Sequence, residues 1–131
     1  MTPAPRPKLI ADRDEVFAAL GNDAVSIIDA LPGASFRGEM AMYDRPGHIP
    51  GASNIPALSL LDESGHYLPN DDLATIFDGD RNARTITYCG GGIAASSNAF
   101  IMTRLGFTDV AVYISSLQEW AADPANPMEV E

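Results

Sequence analysis

Five β-prone residues, Arg84-Thr85-Ile86-Thr87-Tyr88, stop abruptly at Cys89-Gly90-Gly91-Gly92, and Ile93 to Leu105 then reads as a helix ended by Gly106. A strand, a tight loop and a helix in direct succession limit what the rest of the chain can be. The flanking segments repeat the alternation. Asp12 and Asp14 are placed to cap a helix carrying Val16, Phe17 and Leu20, with Gly21-Asn22 as its stop. Val25 to Ile28 is β-branched and apolar and ends at Asp29, which suits a buried parallel strand. Gly51 to Ile55 reads as a short strand and Pro56 to Leu61 as a helical turn. Asn70 or Asp71 can cap a helix through Leu73, Ile76 and Phe77, ended by Gly79. Val110 to Tyr113 is a further strand, and Ser115 or Ser116 can cap a last helix through Leu117 and Trp120. Strands alternating with helices predict an α/β fold, a parallel sheet covered on both faces. Between Pro32 and Pro50, Gly, Pro and charge dominate without periodicity, so this stretch reads as a long loop, of the kind that is often functional.

The totals are consistent with one domain. A length of 131 residues is enough to bury a core without disulfides or a structural metal, and we expect a flexible leader at 1–8 and one domain over 9–131. The leader has prolines, Arg6 and Lys8 but none of the apolar stretch of a secretory signal, and with Met1 it suggests a free-standing chain. No apolar run approaches bilayer length. A net charge of −10 works against a nucleic-acid or anionic-membrane partner. An anionic substrate would therefore depend on local help from backbone N–H groups or a few arginines.

Cys89 is the single cysteine, which excludes an internal disulfide and a thiolate zinc cage. Two readings remain, a buried filler or a reactive thiol, and a reducing cytoplasm suits both. The surroundings favour the second. A thiolate at a helix N-terminus is stabilised by the helix dipole and by N–H groups that have no partner within the helix. Three glycines let the backbone curl with its amides inward, a cup that suits a thiolate or persulfide anion. Core filling alone does not explain three adjacent glycines. A dinucleotide loop is the rival reading, but no Gly-x-Gly-x-x-Gly spacing continues past Gly92.

The run Tyr88-Cys89-Gly90-Gly91-Gly92-Ile93-Ala94-Ala95-Ser96 resembles the active-site loop of the rhodanese (thiosulfate sulfurtransferase) family. Arg45-Pro46-Gly47-His48-Ile49-Pro50-Gly51-Ala52 resembles that family's upstream signature, and Leu117-Gln118-Glu119-Trp120 its downstream one. The three lie in the family's order and, with Ile28-Asp29 and Leu105-Gly106-Phe107, cover nearly the whole chain. The resemblance implies a five-stranded parallel sheet flanked by helices on both faces. It also implies a ping-pong reaction in which Cys89 takes sulfane sulfur from thiosulfate or a related donor as a persulfide, then passes it to cyanide or a thiol. The family's loop amides, carried over to Gly90, Gly91, Gly92, Ile93 and Ala94, would stabilise the charged sulfur, and no cofactor is required.

This sequence departs from the family in places. The loop has no basic residue between Cys89 and Ser97, where many thiosulfate-using relatives carry one. Its glycines are closer to the loop of 3-mercaptopyruvate sulfurtransferases, although Gly91 stands where those usually have serine. Leu31 replaces the arginine of an Asp-x-Arg pattern, and Ile114-Ser115 replaces the usual Asp-Gly. Arg37 and Arg45, in the long loop, are candidates to reach an anionic donor or else surface arginines paired with Glu39 or Asp44. His48 reads as structural, His66 as exposed loop, Asp29 as the partner of a loop amide and Trp120 as core. Two histidines and one cysteine, far apart, make no metal site. The alternatives are a non-catalytic rhodanese-like binding module and a cysteine phosphatase or arsenate reductase. The latter needs an arginine closing the loop, where Ala94 and Ala95 stand.

Overall fold

The computed structural model describes residues 10–22, 24–39, 45–77, 81–89 and 93–130. The expected leader and the three loop glycines Gly90, Gly91 and Gly92 lie outside these residues. Strands β1 (Ile10–Ala11), β2 (Val25–Asp29), β3 (Ser53–Asn54), β4 (Arg84–Tyr88) and β5 (Val110–Tyr113) form a five-stranded sheet in the order β1-β5-β4-β2-β3. Every pairing is parallel. The helices are α1 (Arg13–Ala19), α2 (Gly33–Phe36), α3 (Asn70–Ile76), α4 (Ile93–Arg104) and α5 (Ser116–Trp120), with a 3-10 turn at Ala57–Leu60.

Side-chain alternation along the strands sends buried residues to both faces. Ile27, Ile86 and Ala111 are register partners and pack in one core with Val16 and Ala19 of α1 and Leu117 and Trp120 of α5. One residue further along β2, Ile28 turns to the other face and packs with Val110, Leu73 of α3, and Ile101 and Met102 of α4. The sheet is therefore covered on both sides, and β4 lies at its centre.

Helix α1 begins as its sequence dictates. Asp12 caps it, its carboxylate accepting from the Glu15 N–H at 2.9 Å. Glu15 in turn accepts two hydrogen bonds from the Arg84 guanidinium, at 3.0 and 2.8 Å, while the same guanidinium donates to Asp109 at 2.8 Å. This ties α1 to the start of β4 and to the turn before β5. Two caps differ from expectation. Pro69, not Asn70 or Asp71, occupies the N-cap of α3, where its fixed φ suits the entry turn. Ser115 stands at the N-cap of α5 without a capping hydrogen bond from its side chain.

The stretch expected to be one long loop contains the single-turn helix α2, too short to show a period. The loop is also pinned by the C-terminal tail. His48 and Glu129 exchange backbone hydrogen bonds, at 2.8 and 2.9 Å. Gly47, at φ +103°, lies so close under this bridge that a Cβ there would run into the Glu129 carbonyl.

Candidate active site

Cys89 follows β4 directly, at the C-terminal edge of the sheet, the edge where open α/β sheets bind ligands. It is 3% exposed, and both of its backbone polar groups are held by the start of α5. Its N–H donates to the Ser116 hydroxyl at 3.0 Å, and its carbonyl accepts from the Leu117 N–H at 3.0 Å. One residue earlier, the Tyr88 carbonyl accepts from the Ala30 N–H at 2.8 Å. The cysteine is thus clamped between the segment leaving β2 and the segment leaving β5. Helix α4 begins at Ile93, four residues after Cys89, and runs for 12 residues with its positive end at this start. Ala94 is half-buried against the first core, and Ala95 is fully buried in it.

Beside the cysteine, β2 and β4 end in register, Asp29 opposite Tyr88. The Tyr88 hydroxyl donates to one Asp29 carboxylate oxygen at 2.7 Å and accepts from the Ile49 N–H at 3.0 Å. The other oxygen accepts from the Leu31 N–H at 2.7 Å, the loop-amide pairing expected for Asp29. Burial pushes the Asp29 carboxyl up from 3.8 to about 6, against the opposing pull of these hydrogen bonds and of His48. The Tyr88 hydroxyl is raised well above its usual range by its own burial and by the Asp29 charge. Sequence reading missed the tyrosine's part, because a strand tyrosine gives no sign that its hydroxyl bridges the end of β2 and the loop at Ile49.

The other candidates fall in different places. Arg37, at the end of α2, forms an exposed ion pair with Glu39 at 2.8 Å. Arg45 reaches across the fold to the C-terminal end of α5, donating to the carbonyls of Ala121, Trp120 and Asp123 at 2.9, 3.2 and 2.8 Å. His48 is buried, stacked on Phe36 with centroids 3.7 Å apart. Its Nδ1–H donates to the Phe36 carbonyl at 2.6 Å. Trp120 is fully buried and donates from its indole N–H to the Pro127 carbonyl at 2.8 Å. His66 is exposed. An open recess of about 280 Å³ at the ends of β1 and β5 is lined by Ile10, Arg13, Ile114 and Ser115 among others, and Cys89 is not part of its wall. Among the described residues no cluster of His, Cys, Asp and Glu is placed to hold a metal, and no helix is long and apolar enough to cross a membrane.

A parallel α/β sheet with a cysteine at the C-terminal end of its central strand, just ahead of a helix, places a thiol at the edge where such sheets bind ligands. Consistent with it, the chain belongs to the rhodanese-like domain family, which matches residues 12–123. It is 33% identical over 129 residues to a probable 3-mercaptopyruvate sulfurtransferase of Pseudomonas aeruginosa, covering 95% of this chain and 45% of that protein. It is 34% identical over 130 residues to thiosulfate/3-mercaptopyruvate sulfurtransferase 1, mitochondrial, of Arabidopsis thaliana, covering 95% of this chain and 34% of the relative. The chain therefore spans less than half the length of these relatives. In fold it is similar to the anaerobic ergothioneine biosynthesis enzyme from Chlorobium limicola, with a TM-score of 0.87 at 23% identity over 95% of this chain and 32% of that one.

Proposed function

We propose that this chain is a sulfurtransferase in which Cys89 carries sulfane sulfur as a persulfide. The observation that carries the reading is the mounting of the family's cysteine. It is the only one in the chain, fixed through its N–H and carbonyl at the end of the central strand, with a helix N-terminus following. In the first half-reaction the thiolate attacks the outer sulfur of thiosulfate. The new S–S bond forms as the old one breaks, and sulfite leaves with the electron pair. In the second, cyanide or a thiol attacks the outer sulfur of the persulfide, and the Cys89 thiolate departs and is regenerated. With 3-mercaptopyruvate the leaving group is the pyruvate enolate, which then takes a proton.

Both sulfur forms are anions, and the amides of Gly90 through Ala94 are assigned to hold them. The helix dipole of α4 has the sign that supports this. Of the two arginines, Arg45 is already engaged by three carbonyls at the end of α5, whereas the Arg37–Glu39 pair is exposed. Arg37 is therefore the one assigned to an anionic donor. No cofactor enters either step.

Mass spectrometry after incubation with thiosulfate or 3-mercaptopyruvate tests the reading. The expected result is a gain of one sulfur atom on Cys89, removed by cyanide and absent from Cys89→Ser. No gain with any sulfane donor would overturn the proposal and leave a binding module.

A further inference from the structure

Ser116 stands at φ 52°, the only non-glycine residue with a positive φ among the described residues. In this left-handed region a side chain costs about 1–2 kcal/mol, a cost glycine avoids. Yet the position holds serine, and it is fully buried. Its hydroxyl is in use twice over. It donates to the Tyr113 carbonyl at 2.6 Å and accepts from the Cys89 N–H at 3.0 Å. The next residue completes the grip, the Leu117 N–H donating to the Cys89 carbonyl at 3.0 Å. The left-handed turn at Ser116 lets consecutive residues meet the N–H and the carbonyl of one cysteine.

We propose that Ser116 is a positioning residue for Cys89. Its hydroxyl links the end of β5 to the cysteine's own amide and thereby fixes where the thiol stands relative to an incoming donor. The strained backbone is kept because the hydroxyl is needed there. The proposal rests on Cys89 being the sulfur carrier, and nothing in it requires Ser116 to touch substrate.

Four versions of the full chain separate this role from a merely structural one: wild type, Ser116→Ala, Ser116→Gly and Ser116→Thr. Alanine removes the hydroxyl and keeps the backbone cost, glycine removes both, and threonine keeps the hydroxyl at a higher backbone cost. Stability in urea then ranks Gly above Ala, and wild type above Thr. The rate of Cys89 persulfide formation from thiosulfate, measured per folded molecule, follows the hydroxyl instead. It falls about tenfold or more in both Ala and Gly, in kcat rather than KM, and stays near wild type in Thr, since small misplacements of a reacting group cost this much or more. Wild-type rates in the Ala and Gly variants, or rates that rank with stability, would overturn the proposal. Alkylation of Cys89 by iodoacetamide is followed in parallel. If wild type forms no persulfide, the sulfurtransferase reading has failed, while equal alkylation rates in all four chains would sink the positioning role by itself.

Discussion

Replacing Asp29 with Asn tests the electrostatics beside the cysteine directly. Asp29 is fully buried, and its carboxyl is raised from 3.8 to about 6, mainly by loss of solvent. Such a group holds its proton more tightly in the folded state than in the unfolded one. Stability from this source is therefore fully present well below about pH 4 and is lost as pH rises through about 6. At about 1.4 kcal/mol per pH unit, the span amounts to about 3 kcal/mol. Asparagine keeps the shape and removes the titration. Urea denaturation of both proteins from pH 4 to pH 7 should show the wild type losing about 2.4 kcal/mol relative to Asp29→Asn, whatever the other acidic groups contribute to each curve. The Asp29 carboxyl carbon, followed by NMR, should titrate with a midpoint near 6. A stability difference flat with pH, or a midpoint below 4, would mean that the hydrogen bonds from Tyr88 and Leu31 outweigh burial and that the reasoning is wrong.

Three further outcomes follow from the segment between β2 and β3. Gly47→Ala should lower unfolding free energy by about 2 kcal/mol or more in urea, since it combines a positive φ with a Cβ directed at the Glu129 carbonyl. The arginines should separate cleanly. Arg45→Ala should cost about 1 kcal/mol or more by removing three hydrogen bonds at the end of α5, although the Trp120 and Asp123 carbonyls keep a second donor in Asn126, whereas Arg37→Ala should change stability by under about 0.5 kcal/mol and raise the thiosulfate KM with kcat unchanged.

The alternating plan of the fold was legible because its signals are local. Arg84–Tyr88 and Val110–Tyr113 are strands over the residues their composition marked, and Asp12 caps α1 as its side chain predicts. Elements held by distant partners left no such mark. The two-residue strand β1 exists only by pairing with β5, and α2 is a single turn. The cysteine was legible from the glycines and helix around it. What fixes its position was not, since Ser116 and Tyr88 act through buried contacts across 27 and 59 residues of sequence. Ser116 stood out only as a possible helix cap, and no residue type announces a left-handed turn there. Arg45 looked like a loop cation because sequence cannot show that α5 ends within its reach.

Mounting Cys89 on β4 separates two things that are free to change at different rates. The strand is paired on both edges and covered on both faces, so Cys89 belongs to the region expected to open last in hydrogen exchange. Arg37, which we propose meets the donor, sits in a connection of the kind that tolerates substitution and changes of length. On the function proposed above, a domain built this way can exchange one sulfur source for another by altering its loops while the address of the cysteine stays constant.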